Sequence, residues 1–589
     1  MSAAVTTRSF DHARSGSFLN ETTLTPDAVR TRGVKRVLTL HTPDDPRIEA
    51  QPLYVSGLEI HGSKHDVIFQ ATMGNHIYAW DADTGAQLWD TFLGRAVDGT
   101  VNIDAHLVNI RWGILSTPVI DLLGRVLYAC YWTSPDGDWR KGAHKVVALD
   151  IMTGQRVHED ANLENVEVDP GGGLPKLLFK SAERKQRSGL ALSGGMLFIA
   201  FGTIAETGTD ARGWLIAVDV ERWRVSTAWC STQRGTGGGI WMSGSAPAVQ
   251  SDGSIWVVTG NGDFDGMHDY SESVVRLRHV RRATGGGQDK FEVVGWWTPY
   301  TDDGRTGGDP GGEAIMALLP KHRPSNFRIG PHLARLGLAH MAEGWSDQDL
   351  GASGVVLIEE LGIALVSGKD GILYTIHLGR PGNTMHNDLE PGGVKGNFAK
   401  LAAPPILYTY FDPGIDPAPA DPAELNRLAA DRTHHLHGTP VTWKSAKHGW
   451  MHFCGGENGN VRAWSLHDNH RSTYLACSEA FASPNSRVPS GGMPGWSIAL
   501  SADTQNGGVI WAMMPYDDSN MHVTNGRLLA YDAQAFNRFG DGSGEIMPLW
   551  DSQQWNWNFL HPKFNRPIAV DGRVIVPTYG GEVLVLSLA

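Results

Sequence analysis

The stretch from Val67 to Trp89, VIFQATMGNHIYAWDADTGAQLW, constrains the fold of this chain more than any other. An apolar strand runs into Gly74-Asn75, an alternating strand follows, Asp-Ala-Asp-Thr-Gly closes it, and a last strand ends in Trp. Both turns hold residues that tolerate positive φ, so the stretch reads as two tight hairpins of one small antiparallel sheet. Degraded copies recur: VVALDIMTGQRV up to Val157, WLIAVDVERWRVSTAW up to Trp229, SIWVVTGN with SVVRL between Ser254 and Leu277, and IALVSGKDGILYTIH from Ile363. MHFCGGENGNVRAWSL from Met451, the span Val509 to Asp532, and RVIVPTYGGEVLVLSL from Arg573 bring the total to eight units.

A sheet this small cannot bury both faces alone, so its neighbours must stack on it. Radial stacking predicts an all-β fold, a single eight-bladed β-propeller, with only short protected edges. The composition agrees: 71 Gly and 21 Trp in 589 residues imply many turns and large anchors rather than disorder. The last unit stops at Ala589 without the outer strand that the first unit has after Asp-Thr-Gly. RVLTLH, Arg36 to His41, is placed to supply it and so to join the two chain ends. Residues 1–35 then read as an N-terminal extension and 36–589 as the propeller.

Two long capping insertions interrupt the spacing, at 297–349 and 379–438. The first is rich in Gly and Asp and holds a helix-like piece, His332 to Ala342; the second is rich in Pro, and Asp421-Pro422 in it reads as a helix start. Long loops on a rigid scaffold cap or carry a site, or decorate the surface.

The run GNHIYAWDADTGAQLW resembles the repeat of pyrroloquinoline quinone (PQQ) alcohol dehydrogenases, A-x-D-x-x-T-G-x-x-x-W, and the resemblance covers the chain from about Gln51 to Leu588. It implies an eight-bladed propeller with PQQ and calcium on the axis. The same blades also build non-enzymatic assembly scaffolds, so the repeat specifies fold better than chemistry.

The resemblance implies a set of site residues. Trp241, in GGGIWMSGSAP, corresponds to the tryptophan that stacks on the quinone, or else is a blade-core Trp. Asn261, in TGNGDF, and Glu206, in AETGTDARGW, correspond to calcium ligands, although Asn261-Gly262 is also an ideal turn. Lys369, in SGKDGILYT, corresponds to the cation on the quinone oxygens. Asp347 and Asp349, in WSDQDLGASG, occupy the place of the catalytic base, with Asp347 the first choice. His437 falls near a cofactor-contacting position. The family's adjacent Cys-Cys pair is absent, its place held by GILSTPVID, Gly113 to Asp121. Ser490-Gly491-Gly492 stands where a later blade carries Trp-Gly-Gly.

Read on the residues alone, His434-His435-Leu436-His437 is a candidate metal cluster, and Asp302, Asp303 and Asp309 a weaker one. With 50 Lys and Arg against 63 Asp and Glu, the net charge of −13 argues against nucleic acid. No apolar run suits a membrane span, so no membrane insertion is expected. The four cysteines form no CxxC or CxxCH, which argues against a thiolate zinc site and covalent haem of the c type. The segment from Met1 to Phe18 lacks an apolar export signal, which implies the cytoplasm, or the periplasm if a leader has been removed. The expected function is quinoprotein-type oxidation of an alcohol, a small-molecule substrate. The alternative is a propeller that binds no PQQ and serves as another enzyme or as a binding or assembly scaffold.

Overall fold

A computed structural model describes residues 3–589 apart from 206–207, 282–288, 299–348, 370–372, 379–434, 469–471, 487–491, 539–543 and 556–557. The described strands group along the chain into eight small antiparallel units, the sixth and seventh of which are joined by a parallel bridge between Cys477 and Glu545. The first holds Leu53–Ile60, Ser63–Ala71, His76–Asp81 and Gln87–Phe92. The second holds Val119–Asp121, Val126–Thr133, Ala143–Asp150 and Ala161–Asn162, and the third Ala191–Ser193, Met196–Thr203, Trp214–Asp219 and Arg224–Cys230. The fourth contains Ala248–Val249, Ile255–Val258, Val274–Val280 and Lys290–Trp297; the fifth, Val355–Ile358, Ile363–Ser367 and Leu373–His377. The sixth runs Val441–Ser445, Gly449–Cys454, Asn460–Leu466, Ser472–Phe481, and the seventh Ser497–Asp503, Asn506–Pro515, Asn525–Arg538, Gly544–Asp551.

The eighth sheet closes the ring. Ile568–Val570, Arg573–Pro577 and Glu582–Leu588 are joined by Val34–His41, which pairs antiparallel with the last strand, Val34 opposite Leu588 and His41 opposite Glu582. Apolar layers lie between successive sheets all the way round. One layer joins sheets one and two through Phe69, Trp89 and Leu149. Another joins sheets seven and eight through Trp511, Leu528 and Val576, and a third joins sheets eight and one through Ile575, Val585 and Tyr78. The fold is therefore a β-propeller, and its stability rests on these inter-sheet layers, since each sheet has two faces to cover.

The repeat pattern has a visible cause. Asp81 Oδ1 accepts from the amides of Asp83 and Thr84 and from the Thr84 hydroxyl, and Asp150 does the same for Met152 and Thr153. The recurring spacing of Asp to Thr-Gly thus caps the turn between the third and fourth strands. The Trp at the end of the repeat reaches the next sheet: Trp89 Nε1 donates to Ile151 O at 3.1 Å, and its ring covers Gly154. Gly154 has φ +69°, and a Cβ there would lie 2.6 Å from the Trp89 ring. Glycine is required twice over at that position.

The N-terminal segment is not a tail. Its carbonyls accept from amides of first strands around the ring: Ala3 O from Ser56, Thr6 O from Ile120, His12 O from Val249, Ala13 O from Leu357, Ser15 O from Thr442, Gly16 O from Leu500. These first strands are the ones that neighbour each other around the ring, so residues 3–18 run along the propeller axis. Arg14 is fully buried there and donates to the carbonyls of Pro247, Arg8 and Asp11 and to Thr7 Oγ1. A one-turn-plus helix, Pro26–Arg32, capped by Thr25, carries the chain out to the eighth sheet. Residues 3–18 of the segment set apart on sequence thus lie within the ring, and the closing strand expected at Arg36–His41 begins at Val34.

The ends of the two insertion windows belong to the ring. Trp297 ends the outer strand of the fourth sheet, and Asp349 and residues 435–438 lead into the fifth and sixth sheets. Residues 299–348 and 379–434 lie outside the described residues, and with them the helix-like pieces, Asp302, Asp303 and Asp309. No helix among the described residues is long and apolar enough to cross a membrane.

Candidate functional site

Two kinds of described segment meet at one end of the ring: lead-ins to first strands, and loops between second and third strands. They enclose an axial cavity of about 240 Å³. Lys185 and Arg187 come from the lead-in to the third sheet, Trp241 and Asp349 from those to the fourth and fifth, and Lys563 and Phe564 from that to the eighth. Asn261, Lys369 and Asn520 come from the loops of the fourth, fifth and seventh sheets.

Four of the residues singled out on sequence thus line one cavity: Trp241, Asn261, Asp349 and Lys369. Asp349 has almost no exposure. Its Oδ2 accepts from Lys369 Nζ at 2.7 Å and its Oδ1 from the backbone amide of Asn261 at 2.9 Å. The Asp349 carbonyl accepts from the Lys369 amide, so the pair is held by backbone as well as side chain. Lys369 Nζ also stands 5.5 Å from the centre of the Trp241 ring, within reach of its π face. Trp241 meets Phe564 edge-on at 5.8 Å between centroids. Glu206 and Asp347, the expected calcium ligand and the first choice of base, lie outside the described residues. Asp349, the described one of the two aspartates, lines the cavity.

His437 is placed differently. It is buried behind Trp241 and lines a second, much smaller cavity with Trp496, Phe564 and Arg566, not the axial one. Its Nε2 lies 2.9 Å from Glu457 Oε1, and His435 Nδ1 lies 3.6 Å from Glu457 Oε2. Burial pushes the His437 imidazole below its ordinary range, against the pull of Glu457. Of the four-residue histidine motif, His434 lies outside the described residues.

Sequence reading missed the basic wall. Arg187 is buried and paired with Glu49, which also accepts from Tyr579 Oη at 2.6 Å and Asn109 Nδ2 at 2.8 Å. That network aims the guanidinium over the Phe564 ring at 4.8 Å. Lys563 donates to Asn520 Oδ1. Its ammonium is pushed down to about 7, first by burial and then by the nearby charge of Arg187. Lys185, Arg187, Lys369 and Lys563 therefore face the cavity with one carboxylate, in a chain whose net charge is −13, Arg187 paired with Glu49, Lys369 with Asp349, and Lys563 partly neutral near pH 7. Such a field recognises an anion. The signal for these residues was positional: each is in the short polar lead-in before an inner strand, a place as regular as the repeat itself.

No protein-family model matches the chain, and no curated protein matches it. Among solved structures it is similar to the quinohemoprotein alcohol dehydrogenase of Comamonas testosteroni at 13% identity and TM-score 0.49, covering 99% of this chain and 80% of that one. It is similar to a europium-containing methanol dehydrogenase at 10% identity and TM-score 0.48, covering 100% and 98%. It is also similar to BamB from Moraxella catarrhalis at 10% identity and TM-score 0.42, covering 94% and 97%. Two of these are dehydrogenases by name and the third is not. Likeness at this level assigns no ligand and no residue role.

Proposed function

We propose that the chain is a quinoprotein-type oxidoreductase that oxidises an alcohol, with PQQ and calcium held in the axial cavity. The observation that carries the reading is the convergence of Trp241, Asn261, Asp349 and Lys369 on one cavity from two neighbouring blades. The donor set fits a planar, multiply anionic cofactor. Trp241 offers a flat π surface, and Lys185, Arg187, Lys369 and Lys563 offer positive charge for carboxylates. Asn261, with Glu206, would give calcium oxygen ligands of the kind it prefers. When bound, PQQ supplies the two-electron acceptor.

The protein's part is positioning and proton transfer. Asp349 is the base: its carboxylate takes the proton of the substrate hydroxyl. Lys369 and the Asn261 amide hold that carboxylate in one orientation, with no solvent to reorganise. The aromatic wall of Trp241 and Phe564 keeps water from the reacting face.

A second reading, a propeller that takes no PQQ and acts as another enzyme or as a binding or assembly scaffold, is favoured by one observation. Gly113 to Asp121 carries no adjacent cysteine pair, and all four cysteines are free thiols. Titration of PQQ into the full chain with calcium present, followed by absorbance and calorimetry, decides between them. Saturable binding that is lost in Trp241→Ala and Lys369→Ala supports the dehydrogenase. Absence of binding leaves the second reading.

A further inference from the structure

We infer that His435, His437 and Glu457 form a site for one divalent transition-metal ion, with zinc the reference occupant. The inference stands on local geometry and does not depend on the axial cavity binding PQQ. His435, Leu436 and His437 run just ahead of the first strand of the sixth sheet, where Leu436 is buried in the core shared by sheets three to six. The two imidazoles converge, with ring centroids 5.7 Å apart. Glu457 comes to them from the loop between Gly449–Cys454 and Asn460–Leu466, and its amide donates to the His435 carbonyl at 3.0 Å. That bond fixes the loop against the histidine segment.

One ligand atom from each residue lies within 4.8 Å of the other two. His437 Nε2 and Glu457 Oε1 are 2.9 Å apart. Ligand atoms at 2.0–2.1 Å in a tetrahedral zinc site are about 3.3 Å apart, so little movement is needed to admit the ion. With Nε2 given to the metal, His437 Nδ1 faces Ser243 Oγ at 3.5 Å, the outer-shell partner that fixes an imidazole ligand's orientation. Glu457 and His437 have no exposed side-chain surface and His435 has 12%, so the ligands are already withdrawn from water.

The chemistry of the donors selects the ion. Two imidazoles and one carboxylate suit zinc or ferrous iron, whereas calcium and magnesium ask for more oxygens. The ion would stand behind the aromatic wall, since His437 lies 6.1 Å from Trp241 and 5.7 Å from Phe564 between ring centroids. This site and an oxygen-lined calcium site in the axial cavity would therefore be chemically distinct neighbours.

The test is a titration of the chelator-treated full chain with Zn²⁺ alone, in competition with a chromophoric chelator. Binding of one ion per chain is expected, with at least a hundredfold loss of affinity in Glu457→Gln and in His437→Ala. X-ray absorption of the zinc-loaded wild type should show two imidazoles in the first shell, a readout that stands even where a variant folds poorly. An equal concentration of Ca²⁺ should not displace the zinc. Absence of stoichiometric binding, a first shell without two imidazoles, displacement by Ca²⁺, or unchanged affinity in both folded variants overturns the assignment.

Discussion

Lys369 Nζ and Asp349 Oδ2 stand 2.7 Å apart in the wall of the axial cavity, at 7% and 1% side-chain exposure. A pair so far from water contributes modestly as a pair, but either charge left alone is costly. The pair therefore stands or falls together, and it joins the carboxylate proposed as the base to the ammonium that orients it.

Removing one partner should show this. Lys369→Met is expected to destabilise the protein by about 3–5 kcal/mol, because Asp349 stays buried without its cation. Lys369→Met combined with Asp349→Asn should recover most of that loss, which a double-mutant cycle in chemical denaturation measures. Equal stability of the single and double variants would mean that the two groups do not couple.

Lys563 should make stability depend on pH. Its folded-state pKa of about 7 lies below the ordinary lysine value, so the unfolded chain holds the proton over the interval between them. Stability contributed by this group then rises with pH from about 7 toward about 10.5, by up to about 1.4 kcal/mol per pH unit, and is flat below 7. Lys563→Met is expected to remove that slope, so that the difference in stability between wild type and variant rises with pH over this interval. The same amine should be acylated ahead of surface lysines near pH 8. Denaturation midpoints across pH and peptide mapping after limited acetylation check both.

The ring was legible in the sequence because its cause is local. Asp81, Thr84, Gly85 and Trp89 each satisfy a turn or a sheet contact within a few residues or in the adjacent blade, so the pattern repeats with the blade. Closure was legible for the same reason, as a missing strand and a spare one. The motif-borne residues Trp241, Asn261, Asp349 and Lys369 could be named because they stand at fixed offsets from strands. Lys185, Arg187 and Lys563 carry no motif of their own, since what unites them is their place in the lead-ins that line one cavity, and Glu457 is joined to the histidines only by the fold. The N-terminal segment misled for a physical reason as well. MSAAVTTRSFDHARSGSF is polar by composition, yet its anchors are backbone carbonyls and the Arg14 fork, neither of which leaves an apolar pattern.

Gly154 gives a sharp test of the contact between successive blades. Gly154→Ala would place a Cβ against the Trp89 ring and force a left-handed backbone on alanine. The expected loss is about 2–4 kcal/mol, the sum of the αL cost and overpacking. Gly171 has φ +72° with nothing within 4 Å of a Cβ, so Gly171→Ala should cost only the backbone share, about 1–2 kcal/mol. Thermal unfolding of the two variants side by side separates strain from contact; equal losses would show that Trp89 does not dock on Gly154.

The N-terminal segment should matter in two separable ways. Deleting residues 1–45 removes both the axial segment and Val34–His41, so the eighth sheet loses its outer strand and the ring its join; cooperative unfolding at a much lower temperature is expected. Deleting residues 1–21 leaves that strand and the helix Pro26–Arg32 in place but strips the axis of its backbone partners. First-strand amides such as those of Val249, Leu357 and Thr442 then face an open channel, and the Pro247 carbonyl loses the Arg14 guanidinium. Water can satisfy those groups only if the channel fills, so an intermediate loss of stability is expected with hydrogen exchange concentrated on the first strands. Arg14→Met in the full chain should reproduce part of it, about 2–3 kcal/mol, because the segment stays but its buried carbonyls go unmet. If the 1–21 deletion melts like the full chain and protects the same amides, the segment is only packed along the axis and the eight sheets close without it.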